Sequence, residues 1–418
     1  MIRNYLKVAL KVLARRKFFT FISLFGISIT MLVLLVAAAV FDHSFAPEAP
    51  ETRSERMLGI YRLTMRGPEN TQSSDAGYGF LDRYARPLAR LPGVERVSIL
   101  STPQTAASYV GGKKIESQLR RTDGEFWRIL DFEFLEGGPF TGEDESGARF
   151  VAVINESTRE RFFDGQPAMG RTIEIDGQRF RVVGVVRDVP RLRFSSFSDV
   201  WVPISTAKSS SYKEQWLGSF YGLILARDRA DIPAIKAEFQ ALLREAERHL
   251  PDPKTYKTLT AGADTLFEGV VHMFGPGETA ERRPARVKAV LFLLMLLFML
   301  LPTLNLVNIN LSRILDRASE IGVRKAFGAS SRTLVGQFVV ENLVLTLLGA
   351  LAGLLLAIPV LAALNASGFL PYARLGLNVR VFLYGLAMAV FFGIFSGVYP
   401  AWRMSKLHPV QALRGRSV

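Results

Sequence analysis

The sequence contains no cysteine, which excludes disulfides, thiolate zinc sites and a cysteine nucleophile, and leaves the compartment open. Its histidines, His43, His249, His272 and His408, are scattered and never at H-x-x-x-H spacing, which argues against a zinc site. No G-x-x-x-x-G-K-[ST] loop is present. The nearest stretch, Gly111-Gly112-Lys113-Lys114, lacks the leading spacing and the hydroxyl residue, so ATP is not bound by that route. No G-x-S-x-G elbow marks a serine hydrolase. Glu143, Asp144 and Glu145 are consecutive acids in a Gly-flanked loop. A calcium site and a solvated loop both fit them, the solvated loop being the simpler reading. The sequence thus offers no catalytic residue, no cofactor and no metal centre.

Acids are scarce at the two ends of the chain. The net charge of +14 would suggest nucleic acid for a soluble protein. However, residues 42–288 hold 35 Lys+Arg and 35 Asp+Glu, so that region is neutral. The excess lies in short segments beside apolar runs. This is the positive-inside pattern of a membrane protein, and it argues against a nucleic-acid partner.

Residues 1–17 carry Arg3, Lys7, Lys11, Arg15, Arg16 and Lys17 and no acid, with Ile2, Leu6, Ala9 and Leu13 at helical spacing. They fit a basic amphipathic helix on an anionic cytoplasmic leaflet, or a flexible basic tail. Residues 18–41 are uncharged and exceed the roughly 20 needed to span a bilayer. A signal peptide ending at Ala37-Ala38-Ala39 is the competing reading, but signal cores run to only about 7–15 residues. The cations before it hold the N-terminus inside.

Residues 42–286 have soluble composition and lie on the far side. Strand signals at 57–65, 94–100, 150–154 and 223–226 alternate with helix signals at 79–91, 156–163 and 231–250. Asp231 is placed to cap the last of these, with Pro233 in its first turn. Asp176-Gly177 between two strand-like runs predicts a hairpin over 171–186. The region is α+β and large enough for one domain or two.

After a Gly/Pro/charge linker at 275–284, residues 287–311 form a second span. Pro302 lies inside it, with Asn305, Asn308 and Asn310 towards one end. These fit either a kinked helix packed on others or a simple anchor. A charged segment, 312–333, follows. The third span is 334–364, where Gly349 and Gly353 are four apart and suit close helix packing. Glu341 is the one acid near a span, expected at the interface. Residues 365–378 form a short far-side loop with one cation, Arg374. The fourth span is 379–400, and the basic tail 401–418 returns inside. The expected fold is therefore a membrane protein with four transmembrane helices, one plus three. A large α+β domain is inserted between the first and second.

Three stretches carry a family resemblance. The first is Glu320-Ile321-Gly322-Val323-Arg324-Lys325-Ala326-Phe327-Gly328-Ala329, followed by Gln337, Glu341 and Asn342. The second is Tyr399-Pro400-Ala401-Trp402-Arg403, continuing to His408-Pro409-Val410-Gln411-Ala412-Leu413-Arg414. The third, looser, is 150–186 with its NESTRERFF and VVGVV segments. Together they resemble the permeases of MacB-like ABC transporters, a group that includes FtsX-like and LolC/LolE-like permeases.

The resemblance implies a bacterial inner-membrane, multi-pass protein with both termini cytoplasmic and a periplasmic core domain. It implies a dimeric ABC ATPase, here on a separate polypeptide since only a short basic helix precedes the first span. It also implies a second permease copy, identical or a sister subunit. A periplasmic adaptor and an outer-membrane tunnel are further partners known to the family. The function so implied is mechanotransmission: ATPase motion relayed to a periplasmic domain that exports or extracts a peptide, drug or lipoprotein. The alternative is an FtsX-like regulator that activates a cell-wall hydrolase without transport. The ATPase-coupling residues would be Glu320, Ile321, Gly322, Arg324, Lys325, Phe327 and Gly328. Gly328 would permit a tight turn, and Arg324 and Lys325 would pair with acids of the ATPase or with lipid phosphates. The linker prolines Pro276 and Pro284 put a continuous stalk helix in question.

Reporter fusions test this topology: a fusion at Val200 is expected outside the cytoplasm and one at Glu320 inside, and the reverse pair would refute it.

Overall fold

In the computed structural model, which describes residues 2–15, 17–273, 283–315, 323, 327, 330–369, 371–377 and 379–405, the chain divides into two units. One comprises His43–Lys288 and Leu370–Arg374; the other comprises Met1–Asp42, Ala289–Phe369 and Leu375–Val418.

The first unit is built on a mixed sheet. Its strands are β1 (Met57–Ile60), β2 (Arg62–Arg66), β3 (Thr71–Ala76), β4 (Val94–Ser101), β5 (Gln104–Val110), β6 (Lys113–Thr122) and β7 (Phe134–Gly137). These are followed by β8 (Val151–Asn155), β9 (Thr172–Ile175), β10 (Gln178–Val186), β11 (Val200–Pro203), β12 (Leu217–Gly218), β13 (Phe220–Ala226) and β14 (Thr258–Ala261). The main path runs β14-β2-β3-β13-β4-β6-β11-β8-β10-β7, with β1 beside β13, β12 beside β3, β5 beside β6 and β9 beside β10. The unit is α+β, as its sequence signals indicate.

Alternation decides what each face covers. In β13, Phe220, Ile224 and Ala226 enter one core, whereas Tyr221, Leu223 and Leu225 enter another. The first core is closed by the helix Ile232–Glu247, which presents Ile235, Phe239, Leu243 and Ala246 at helical spacing. The second gathers Phe126, Trp127, Phe140 and Trp201. In β8, Val151 and Val153 face this second core while Ala152 and Ile154 face a third, with Phe180 and Val185. Strand β10 changes parity midway. Val182 pairs with Ala152 and Gly184 with Val153, so Val183 is an inserted bulge residue. The bulge lets Phe180, Val182 and Val185 all reach the third core.

Several local expectations meet their geometry. The hairpin turn falls on Asp176 and Gly177, with φ of 53° and 66°, the primed geometry that suits strand twist. Asp231 departs from its expected role. It stands at the N-cap of Ile232–Glu247 without a side-chain cap bond. Its carboxylate instead accepts the Asp228 amide at 3.1 Å, closing a capping box one turn earlier. The acids 143–145 lie in a short helix, Gly142–Ser146, where Asp144 closes a capping box with Thr141 and pairs with Arg149. Strands β3, β5 and β6 are polar and were not foreseen.

The second unit is helical: Ile2–Arg15, most of Lys17–Phe45 and of Arg283–Leu315, then Ser331–Ala366 and Val379–Ser405. Among the described residues three helices are long and apolar enough to cross a membrane: Lys17–Phe45, Val335–Ala366 and Val379–Ser396. Arg283–Leu315, the expected second span, is a continuous 33-residue helix through position 302, with Val290, Leu291, Phe292 and Leu293 exposed. The expected linker at 275–284 falls largely outside the described residues, as does the tail beyond 405.

Gly349 and Gly353 do bring helices into close approach. A β-carbon on Gly349 would lie 2.7 Å from Ile27 Cβ, and one on Gly353 2.6 Å from Met31 Cβ. Ser28 Oγ donates to the Gly349 carbonyl at 3.1 Å across the same contact. Small residues at this spacing let backbones meet where no hydrophobic effect drives association. Gly353→Leu should therefore cost about 1–3 kcal/mol by overpacking and lower the melting temperature of the detergent-purified chain. Gly336→Ala, with no atom within 4 Å of the new methyl, should not. Equal effects of the two would refute the contact.

Candidate functional site: the coupling segment and its supports

Of the seven residues expected to couple to an ATPase, the structure positions Phe327. Glu320, Ile321, Gly322, Arg324, Lys325 and Gly328 lie outside the described residues. Phe327 is 88% exposed, and its amide donates to the Val323 carbonyl at 3.0 Å, the spacing of one helical turn. Val323 is exposed as well.

The segment leads directly into a helix. Ser330 has extended backbone, and its hydroxyl accepts the Thr333 amide at 3.2 Å, capping Ser331–Ala366. A polar seam follows on that helix. Gln337 Nε2 donates to Glu341 Oε1 at 2.9 Å. Asn342 Nδ2 donates to the Gly393 carbonyl at 2.7 Å and to Ser396 Oγ at 2.6 Å, and Ser396 Oγ to the same carbonyl at 2.9 Å. Thr346 Oγ1 donates back to the Asn342 carbonyl, and a β-carbon on Gly393 would press on that hydroxyl. All of these side chains are buried. Glu341, expected at the membrane interface, is buried within the helical unit. The seam ties Ser331–Ala366 to Val379–Ser405. Gln337, Glu341 and Asn342 stood out in the sequence. Thr346 and Ser396 did not, although Thr346 is one turn from Asn342 and Ser396 follows the small residue Gly393.

A second arrangement, unseen from sequence, lies in the sheet unit. Arg193, 1% exposed, donates to the Ala46 carbonyl at 3.2 Å, the Glu48 carbonyl at 3.3 Å and Glu48 Oε2 at 3.2 Å. Glu51, also 1% exposed, lies 3.5 Å from Arg193 and accepts from Ser196 Oγ at 2.8 Å. Burial pushes the Glu51 carboxyl up, and Arg193 pulls it back. Arg120, fully buried, donates to the carbonyls of Phe194 and Ser195, and burial lowers it to about 10, so it stays cationic at neutral pH. Tyr61 completes the set with a hydroxyl contact to Ser195, and burial drives its pKa upward. The groups are turned on backbone carbonyls, and they clamp residues 46–51, just beyond the helix Lys17–Phe45, to the sheet.

Residues 20–242 match the family model for the MacB-like periplasmic core domain, and residues 292–409 match the FtsX-like permease C-terminal model. The chain is 27% identical over 411 residues to the pyoverdine export ATP-binding/permease protein PvdT of Pseudomonas syringae pv. tomato, covering 98% of this chain and 59% of that protein. It is 27% identical over 292 residues to the macrolide export ATP-binding/permease protein MacB of Escherichia coli, covering 69% of this chain and 42% of MacB. The chain thus spans about half the length of these relatives. Among solved structures, the periplasmic region of MacB from Actinobacillus actinomycetemcomitans covers 53% of this chain and 94% of its own at 16% identity, with a TM-score of 0.38.

The buried clamp makes a sharp prediction. Arg193→Met should destabilise the sheet unit by about 3–5 kcal/mol, because Glu51 is left buried without its guanidinium. Adding Glu51→Gln should recover part of that loss. Unfolding followed by tryptophan fluorescence reads both, and an unperturbed single variant would refute the clamp.

Proposed function

The chain belongs to the MacB-like periplasmic core domain family, and on that basis we propose that it is the membrane subunit of a MacB-type ABC transporter that relays ATPase motion to a periplasmic domain. The observation that carries this reading is the order of the two family matches. The core-domain match begins in the first apolar helix and covers most of the sheet unit, and the permease match covers the later helices. The relatives' names describe export, which favours transport over the regulation of a cell-wall hydrolase.

In this reading four helices span the inner membrane, Arg283–Leu315 being the second, and both termini are cytoplasmic. The sheet unit then works in the periplasm. An ABC ATPase dimer binds the segment 312–333 and closes on ATP. Phe327 supplies an apolar anchor, Glu320, Arg324 and Lys325 supply charge, and Ile321, Gly322 and Gly328 shape the segment. The capped helix Ser331–Ala366 and its polar seam carry the displacement, and the clamp at Arg193 keeps the chain after the first span from slipping in the sheet. The permease pairs with a second copy or a sister subunit. The cargo is taken on the periplasmic side, as a peptide, drug or lipoprotein, with an adaptor and an outer-membrane tunnel as further partners where export crosses the envelope. Chemistry stays with the ATPase, since this sequence carries no phosphate loop.

Phe327→Ala should weaken ATPase association about thirtyfold, the loss of about 2 kcal/mol expected of an aromatic anchor, with membrane insertion unchanged. Glu320→Lys and Gly328→Pro should also release the ATPase. Co-purification from native membranes with mass spectrometry checks all three, and wild-type levels of ATPase with every variant would refute the assignment.

A further inference from the structure

The segment 365–378 is, by sequence, a plain connection with one cation. In the structure residues 371–374 fold with the sheet unit, although the helices on either side, Ser331–Ala366 and Val379–Ser405, belong to the other. Tyr372 is the residue that engages. Its hydroxyl donates to Asp199 Oδ1 at 3.1 Å, and its ring lies against Phe197 with centroids 6.4 Å apart. The Pro371 carbonyl accepts the Arg191 amide at 3.3 Å.

Asp199 is a prepared acceptor. It is buried, its Oδ2 accepts the Gln118 amide at 2.7 Å, its Oδ1 accepts from Asn155 Nδ2 at 3.2 Å, and Arg161 lies 3.4 Å away. It is therefore fixed by β6, by the end of β8 and by the start of β11, three neighbouring strands of the sheet. Tyr372 itself has φ of 61°, in the left-handed region. A residue with a β-carbon stays there only where its surroundings hold it. Charge is matched beside it. Glu133 is held below the ordinary carboxylate range by its hydrogen bond from Arg187, with Arg374 adding to the attraction.

We propose that Tyr372 is a latch, a positioning residue through which the last two apolar helices act on the sheet unit at β6, β8 and β11. This rests on the reading of the chain as a transmitter of ATPase motion. The chain passes between the units at 42/43 and 288/289, and again at either end of the segment 370–374. The segment 370–374 joins, along the chain, the two helices that follow residues 312–333.

The test is hydrogen–deuterium exchange on the full chain with its ATPase in nanodiscs, comparing wild type, Tyr372→Phe and Tyr372→Ala with and without trapped nucleotide. Tyr372→Phe keeps the ring and removes only the hydroxyl, so it guards against misfolding of the alanine variant. Both variants should exchange about tenfold or more faster in peptides covering 191–199 and 371–375, as expected for a lost hydrogen bond to a charged group. Both should keep ATPase binding and hydrolysis. The wild type should show nucleotide-dependent protection in β8 and β11, and both variants should lose it. A full nucleotide response in both variants, or unchanged exchange at 191–199, would overturn the latch. A wild type that binds no ATPase would overturn the transmitter reading itself, and with it the latch's transmitting role, even where local exchange still couples 372 to 199.

Discussion

A buried guanidinium must keep its partners, and Arg193 keeps the carbonyls of Ala46 and Glu48 together with Glu51. Desolvating that charge is costly, and the cost is offset only while these acceptors stay in place. The segment leaving the helix Lys17–Phe45 is therefore held to the sheet by a group that cannot slide to new partners. Arg120 tightens the other side through the carbonyls of Phe194 and Ser195. Residues 46–51 are thereby fixed within the sheet unit.

The same demand for stiffness recurs inside the helical unit by different means. Where Gly349 and Gly353 meet Ile27 and Met31, backbones approach so closely that added side chains have no room. Where Asn342 meets Gly393 and Ser396, hydrogen bonds fix one helix against the next. Packing and polar seams of this kind have few alternative arrangements.

Much of this was legible in the sequence, for physical reasons that also explain the rest. The apolar runs and the hairpin at Asp176-Gly177 follow from local chemistry, as does the helix presenting Ile235, Phe239 and Leu243. The spacing of Gly349 and Gly353 pointed to close packing, and the motif residues Gln337 and Asn342 lie in the seam. Strands β3, β5 and β6 escaped because their alternation is carried by Ser, Thr, Gln and Arg, which read as loop. The bulge at Val183 hid in a uniformly apolar strand. The Arg193–Glu51 clamp could not be foreseen, because its partners are distant in sequence and a lone arginine reads as surface. Asp231 misled because a second acid, Asp228, competes for the same helix start. Tyr372 gave no sign beyond a proline before it, since its meaning lies in Asp199 on the far side of the chain.

The absence of cysteine makes the central claim directly measurable. A single cysteine at Tyr109, exposed at the end of β5, can carry a spin label on the sheet unit. Double electron–electron resonance between two copies, in nanodiscs with the ATPase bound, then reports where that unit stands in each nucleotide state. The account predicts a distance distribution that shifts between the nucleotide-free and ATP-trapped complexes. An unchanged distribution in a complex that binds and hydrolyses ATP would contradict it.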